Sequence, residues 1–247
     1  MFGNSPPPQN EETPFAPCSP YAASKLYAHW MVKIYRKAYN LQAYNGILFN
    51  HESKTRGESF VTRKITLSVA KMALGTKTNL LLGNLNSQRD WGHAMDYVKS
   101  MHMILQTNHP DDFVIATGRT TTVRDFVKKT FLHLGLQIEF IGSGVNEYGV
   151  LQSIDKHKFE SIVRRTCTLG VGHKLVAVDP QFFRPVEVEN LCGDSAKAYR
   201  LMNWSPETSL EALISEMLES DIQRERSRQT KNEARTGLKR LQNIELA

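Results

Sequence analysis

The chain has 247 residues, 40% of them hydrophobic and 23% charged, and 31 Lys+Arg against 25 Asp+Glu leave it at +6. That length allows one large domain or two small ones, with a sizeable core, and the composition is ordinary for a soluble globular protein. No apolar run is long enough to span a membrane, and the opening MFGNSPPPQNEETPFAP has neither the basic region nor the apolar region of a secretory signal. Cys18, Cys167 and Cys192 are far apart and lack zinc-like spacing, which points to reduced thiols in the cytosol that fill core positions. Much of the basic excess lies in IQRERSRQTKNEARTGLKR. A solvated tail accounts for that charge without a nucleic-acid partner.

In chain order, residues 1–18 are Pro-rich and irregular. A helix opens at Ser19-Pro20, where the missing proline N–H costs nothing, and runs to about Asn40 with Leu26, Trp30, Ile34 and Ala38 as an apolar repeat of four. Residues 42–49 read as a buried strand, 60–74 as a helix ended by Gly75, and 80–82 as a short strand. A helix over 93–106, a strand over 113–116, a helix from Thr122 to His133 and a strand over 137–141 follow. The stretch from Gly142 to Gly172 is weakly patterned and reads as a loop. Gly142 and Gly144 open no convincing helix, so a phosphate-binding turn is not expected there. A strand over 175–178 and helices over 195–202 and 209–220 complete the chain, and the hydrophilic stretch after Ile222 reads as frayed. Strands alternating with helices define an α/β protein, yet no strand–Gly-rich turn–helix unit of a dinucleotide site occurs.

The chemistry gathers at Tyr21 and Lys25, in SPYAASK. A spacing of four puts both on one helix face. A free tyrosine, with a pKa of about 10, is a poor base near neutrality, and a neighbouring ammonium favours its phenolate. Such a phenolate can take a proton from a sugar hydroxyl while hydride leaves the same carbon, and the lysine can also hold a cofactor ribose. Taken alone, the pair reads better as a solvated helix face.

The context is more specific. SPYAASKLYAHW resembles the active-site helix of the extended short-chain dehydrogenase/reductase family. NLQAYNGILFNHES, SFVTRKI, GNLNSQRDWGHAMDYV, DFVIATG, FFRPVEVENLCGD and MNWSP follow in order, and together they resemble the GDP-mannose 4,6-dehydratases. The likeness runs from Met1 to about Asp221 and weakens between Asn146 and Lys174, where this chain is longer than the family pattern. It implies Tyr21 and Lys25 as catalytic and cofactor-binding residues, His51 and Arg56 as contacts to NADP, and Asn50, Lys64, Arg89, Arg184 and Glu187 as the lining of a GDP-sugar pocket. The residue types suit the task. Arginine gives a diphosphate a bidentate fork, lysine gives a point charge, and a carboxylate accepts hydrogen bonds from ribose hydroxyls. Each also has a plainer reading: Arg89 with Asp90 as a surface ion pair, Arg184-Pro185 as a turn, Lys64 as a solvated helix residue, His51 as a satisfied core histidine.

Three departures from the family accompany the likeness. The N-terminal βαβ units with their Gly-rich turn, which supply most dinucleotide affinity, do not occur in this sequence. The family places a Ser/Thr and a catalytic Glu just before the Met-Phe-Gly that forms residues 1–3 here, and nothing places Glu11 or Glu12 in that role. Lys54-Thr55-Arg56-Gly57 stands where the family usually has Pro-Arg-Arg-Gly, a loop it uses at its subunit interface near the cofactor.

The expected architecture is therefore α/β, an incomplete Rossmann-like doubly wound sheet with a smaller C-terminal α/β substrate-binding lobe. Residues 1–55 are the expected remnant of the dinucleotide-binding domain, 56–221 the lobe interleaved with returns to the sheet, and 222–247 a basic polar tail. The implied activity is that of an NADP-dependent lyase. It converts GDP-mannose to GDP-4-keto-6-deoxymannose and water, the first step towards GDP-fucose, and is impaired or absent in the isolated chain. The alternative is a non-catalytic nucleotide-sugar-binding or regulatory subunit that pairs with a complete enzyme. A cytoplasmic location, GDP-mannose as partner, assembly as a homo-oligomer or with a full-length dehydratase, and no membrane partner complete the expectation.

Overall fold

A computed structural model describes residues 1–182 and 188–245, with side chains through residue 234. The elements in order are α1 (Pro20–Tyr39), β1 (Asn45–Leu48), β2 (Asn50–Glu52), α2 (Val61–Ala73), β3 (Leu80–Leu82), β4 (Gln88–Arg89), β5 (Trp91–His93), α3 (Ala94–Ile104), β6 (Asp112–Ile115), β7 (Thr121–Thr122), α4 (Val123–His133), β8 (Leu136–Ile141), β9 (Tyr148–Ile154), α5 (Lys156–Val163), β10 (Lys174–Val178), β11 (Asn190–Leu191), α6 (Ala196–Met202) and α7 (Leu210–Glu245). The chain divides into two interleaved units. The first joins residues 1–53, 83–126 and 179–213, and the second joins 54–82, 127–178 and 214–247.

In the first unit β1 and β6 run parallel, with Asn45 opposite Asp112 and Leu48 opposite Ile115. Successive side chains on a strand point to opposite faces, and here both faces are dry. Phe113 and Ile115 meet Tyr97 and Ile104 of α3, Ala198 of α6 and Trp204 on one side. Ile47, Phe49, Val114 and Ala116 meet Phe2 and Phe15 on the other. Burial on both faces is why these strands read as continuous apolar runs, as parallel strands do. β2 pairs in parallel with β5, and β4 lies between parallel β11 and antiparallel β7. In the second unit β3, β10, β9 and β8 form a mixed sheet, the first pair parallel and the others antiparallel.

Helix α1 is set by its ends. Ser19 is extended and its hydroxyl accepts the N–H of Ala22 at 3.1 Å, Pro20 opens the first turn, and Asn40 closes the helix in the left-handed region at φ 50°. Ser19→Ala is expected to cost about 1 kcal/mol in urea unfolding and to loosen the turn that carries Tyr21. The apolar repeat over Leu26, Trp30, Ile34 and Ala38 does not face the core. Leu26 is half-buried, while Trp30, Ile34 and Ala38 are exposed. The packed face lies one position earlier and is polar: His29, Lys33 and Arg36 all reach Asp112.

Two expectations are corrected in the second unit. The stretch from Gly142 to Gly172 is not a loop, since it holds β9 and α5. Asp155 caps α5 by accepting the N–H of Lys158 at 2.9 Å, and Phe159 and Val163, four apart, are its buried face. The stretch after Ile222 is not frayed, because α7 runs on through it. Ile222 is buried, Glu225 lies 3.9 Å from Lys71, Gln229 donates to the carbonyl of Leu74 at 3.5 Å, and Arg226 donates to the carbonyl of Val163. The three cysteines are unbridged and only half-buried, so none is a true core residue. No helix among the described residues is long and apolar enough to cross a membrane.

Candidate functional site

Tyr21 stands on the first turn of α1, 71% exposed, and the Lys25 Nζ lies 5.6 Å from the centre of its ring. The helical spacing therefore brings the two side chains together on one open face, with the phenol accessible to a ligand. The hydroxyl of Ser24 donates to the Tyr21 carbonyl at 2.8 Å, which tightens the same turn.

Asn50 and His51 lie on β2, where the register sets Asn50 opposite Trp91 and His51 opposite Gly92 of β5. The His51 Nδ1 lies 2.9 Å from the carbonyl of Phe49. A carbonyl accepts and never donates, so Nδ1 carries the proton and Nε2 is left to meet a ligand. The ring is half-buried and stacks on Tyr97 at 5.0 Å with 28° between planes. Tyr97 is fully buried, burial pushes its phenol well above the usual range, and its hydroxyl has no partner among the described residues. Tyr97 thus acts as an apolar platform beneath His51. Among the described residues, the one hydrogen bond of the His51 ring is that of Nδ1.

Arg89 closes β4, two residues before the partner of Asn50. It is half-buried, and its Nη1 donates to the carbonyl of Gln88 at 2.8 Å and of Glu189 at 3.4 Å. Asp90 is not its surface ion partner. Asp90 is fully buried and accepts from the Thr117 N–H at 2.9 Å, the Thr117 hydroxyl at 2.6 Å, the Gly118 N–H at 2.9 Å and the Gly193 N–H at 3.3 Å. Burial pushes its carboxyl up, and these donors pull the other way. The loop at Cys192–Asp194 is gripped from its other side by Gln9, which pairs its N–H with the Cys192 carbonyl and its carbonyl with the Asp194 N–H. Gly193 admits no side chain, since a Cβ there would stand 2.3 Å from the Cβ of Ala116. Glu11, in the same N-terminal segment, accepts the Val114 N–H at 2.7 Å, and burial pushes its carboxyl up. It is a strut on β6.

In the second unit, Arg56 lies with its guanidinium carbon 3.5 Å from the centre of the Phe60 ring, and Lys64 is half-buried in the first turn of α2. Arg184 and Glu187 lie outside the described residues. Asp90, Tyr97, Gln9 and Gly193 escaped the reading of the sequence as supports of the site. None of the four has a spacing or motif of its own that marks it in the sequence.

Side chains of this arrangement, an open Tyr–Lys pair on a helix beside parallel strands and a histidine and arginine at strand ends, sit on a fold shared with nucleotide-sugar enzymes. The structure of RMD from Pseudomonas aeruginosa complexed with NADPH superposes with a TM-score of 0.66 at 17% identity, covering 88% of this chain and 60% of that one. The dTDP-glucose 4,6-dehydratase of Bacillus anthracis in complex with NAD gives a TM-score of 0.62 at 18% identity, over 89% of this chain and 58% of that one. At such identities these two show the fold alone, which is α/β.

Sequence fixes the family. The family described as GDP-mannose 4,6 dehydratase matches residues 1–217, and this chain belongs to it. The chain is 49% identical over 216 residues to GDP-mannose 4,6-dehydratase of Yersinia enterocolitica, which covers 87% of this chain and 56% of that protein. It is 50% identical over 216 residues to GDP-mannose 4,6 dehydratase of Drosophila melanogaster, over 87% of this chain and 50% of that protein. The chain thus spans about half the length of the curated relatives it matches.

Proposed function

We propose that this chain carries the sugar-nucleotide side of a GDP-mannose 4,6-dehydratase: it binds GDP-mannose and sets Tyr21 and Lys25 at the hexose. Membership of the family and the open Tyr21–Lys25 pair, 5.6 Å apart, support the reading. Tyr21 is the base that takes the proton of the C4 hydroxyl as the 4-keto group forms, with the Lys25 ammonium beside its ring. Asn50, Lys64, Arg89, Arg184 and Glu187 are assigned to the GDP-sugar. Arg89 has its guanidinium anchored on two carbonyls, and its planar fork suits a diphosphate better than a mobile lysine would.

A nicotinamide dinucleotide, NADP by family, accepts hydride from C4 and returns it at C6 when bound. The donor set fits such a group: Lys25 suits a ribose hydroxyl, His51 offers Nε2, and Arg56 is a planar cation suited to a phosphate. Residues 1–55 are assigned to the dinucleotide side, 56–221 to the substrate lobe with its returns to the sheet, and 222–247 to a basic extension. Elimination of water across C5 and C6 needs a base beside the keto carbon, and the family's Ser/Thr and Glu for this step are not among these 247 residues. A polypeptide of these residues alone is therefore expected to bind and not to turn over. A cytoplasmic location fits the three unbridged cysteines. Assembly as a homo-oligomer or with a complete dehydratase fits the exposed Tyr27, Trp30, Ile34 and Tyr39 of α1.

Calorimetric titration with GDP-mannose tests the reading. Saturable binding is expected, and Arg89→Ala should weaken it by about ten-fold, the order of one lost charge-assisted contact. Equal binding of the two proteins, or none by the parent chain, would refute the assignment.

A further inference from the structure

Arg63 lies in the first turn of α2, within the second unit, with only 3% of its side chain exposed. Its guanidinium is divided between two tasks. Nη1 donates to the carbonyls of Lys54 at 2.6 Å and Arg56 at 3.1 Å, and Nη2 meets Oδ1 of Asp221 on α7 at 2.6 Å. Asp221 is fully buried, and its other oxygen takes the hydroxyl proton of Thr66 at 2.7 Å.

A buried cation is costly unless it is paired and its donors are filled. Here Nη1 is filled by the backbone of a turn whose Lys54, Thr55 and Gly57 are exposed, while Nε has no hydrogen-bond partner among the described residues and the contact with Asp221 is an ion pair. Carbonyls at a surface turn can bond to water instead, so the turn does not need a cation to satisfy it. What the buried fork supplies is one conformation, with two carbonyls fixed to a helix that is itself fixed to α7. Two other contacts of the turn lie at the surface. Lys54 faces Glu216 at 3.9 Å with 57% of its side chain exposed, and Phe60, beneath Arg56, is 48% exposed.

We propose that Arg63, locked by Asp221, is a positioning residue: it holds the Lys54–Arg56 backbone so that Arg56 is presented to a phosphate of the dinucleotide. The proposal rests on the cofactor role given to Arg56 above. Lysine cannot replace Arg63, because a single ammonium does not span two carbonyls and a carboxylate in the geometry of the planar fork.

The clamp and the cofactor role are read separately. Arg63→Lys keeps a cation beside Asp221, and Thr66→Val, which removes only the hydroxyl donated to Asp221, serves as a second variant should the first fail to melt cooperatively. Native trypsin cleavage after Lys54 and Arg56, followed by mass spectrometry, should be about ten-fold faster in the variant, while cleavage at residues outside the turn and the urea midpoint change little. Cleavage at the turn that is unchanged, or that rises only in step with all other sites, overturns the clamp. NADPH titration reads the second part. Arg63→Lys should weaken binding by the same factor as Arg56→Ala, and the double variant should bind no more weakly than Arg56→Ala alone. A further loss in the double variant overturns action through Arg56. Full NADPH affinity in Arg56→Ala overturns the cofactor role itself, whatever trypsin shows.

Discussion

Replacing Asp90 by alanine is expected to destabilise the chain by about 4 kcal/mol, the scale of several buried donors orphaned together. The carboxylate takes two bonds from Thr117, one from Gly118 and one from Gly193, and none of it is exposed. Its loss orphans the Gly193 N–H in the interior and the Thr117 and Gly118 donors at part-buried positions, at about 1–3 kcal/mol for each that water does not reach. Asparagine keeps the shape but turns an NH2 towards N–H donors, so Asp90→Asn should recover only part of the loss. The consequence reaches the site, because Asp90 follows Arg89 directly and fixes the end of its strand. Urea unfolding gives the energy. GDP-mannose titration under native conditions should show weaker binding in any Asp90 variant that still folds. An alanine variant within about 1 kcal/mol of the parent would show that the four bonds are not the keystone described, since that is the cost of a single ordinary hydrogen bond.

The second large effect is at Asp112, where α1 meets β6. Arg36 at 2.8 Å, Lys33 at 3.2 Å, the Asn45 amide at 2.9 Å and His29 at 3.7 Å surround one buried carboxylate. Asp112→Ala leaves this cluster without its anion and should cost about 3 kcal/mol, the low end for breaking a buried pair, because Arg36 keeps its bonds to the Ala43 and Asp111 carbonyls. The same cluster sets the pH dependence. Burial pushes His29 down, with Lys33 and Arg36 adding to it and Asp112 opposing, so the folded chain keeps this imidazole neutral. Its contribution is complete above the unfolded value of about 6.5 and is lost as pH falls towards the lower folded value, because the unfolded chain binds the proton first. Burial would raise Asp112, but hydrogen bonds from Arg36 and Asn45, the charge of Arg36 and a bond from Lys33 together hold it below the usual carboxylate range. That contribution is complete above about pH 4 and is lost on further acidification. His29 also packs edge-on against Phe15 and Trp30, so His29→Gln should lower stability at pH 7 yet flatten its decline between about pH 7 and 5. Asp112→Ala should flatten the limb below about pH 4 instead. Identical pH profiles for parent and variants would remove the cluster from the account.

How much was legible in the sequence follows from what each segment packs against. β6 could be read because burial on both faces demands a continuous apolar run, β8 because its buried and exposed residues alternate, β1, β3 and β10 from their short apolar stretches, and α2, α3 and α4 from their apolar stripes. α1 was found but turned the wrong way: its inward face is His29, Lys33 and Arg36, so charge against Asp112 overrides the apolar repeat that faces outward. β9 and α5 escaped because YGVLQSI mixes polar residues into a strand, and because a helix of two turns shows only Phe159 and Val163 to the core. The later turns of α7 escaped because they dock through Glu225, Arg226 and Gln229, and polar docking leaves no hydrophobic period. At the candidate site, the meeting of Tyr21 and Lys25 on one face was legible from their helical spacing. Asp90 and Tyr97 were not, because a buried acid and a ring used as a platform have no spacing of their own.

One observation bears most directly on whether the phenol of Tyr21 faces a bound hexose. With ring-labelled tyrosine, the resonance that disappears in Tyr21→Phe identifies this side chain, and GDP-mannose is then titrated into the parent chain. The account predicts a saturable shift of that resonance with the same midpoint as calorimetric binding, shifted to higher ligand in Arg89→Ala. A nucleotide sugar that binds while the Tyr21 resonance stays in place would contradict it.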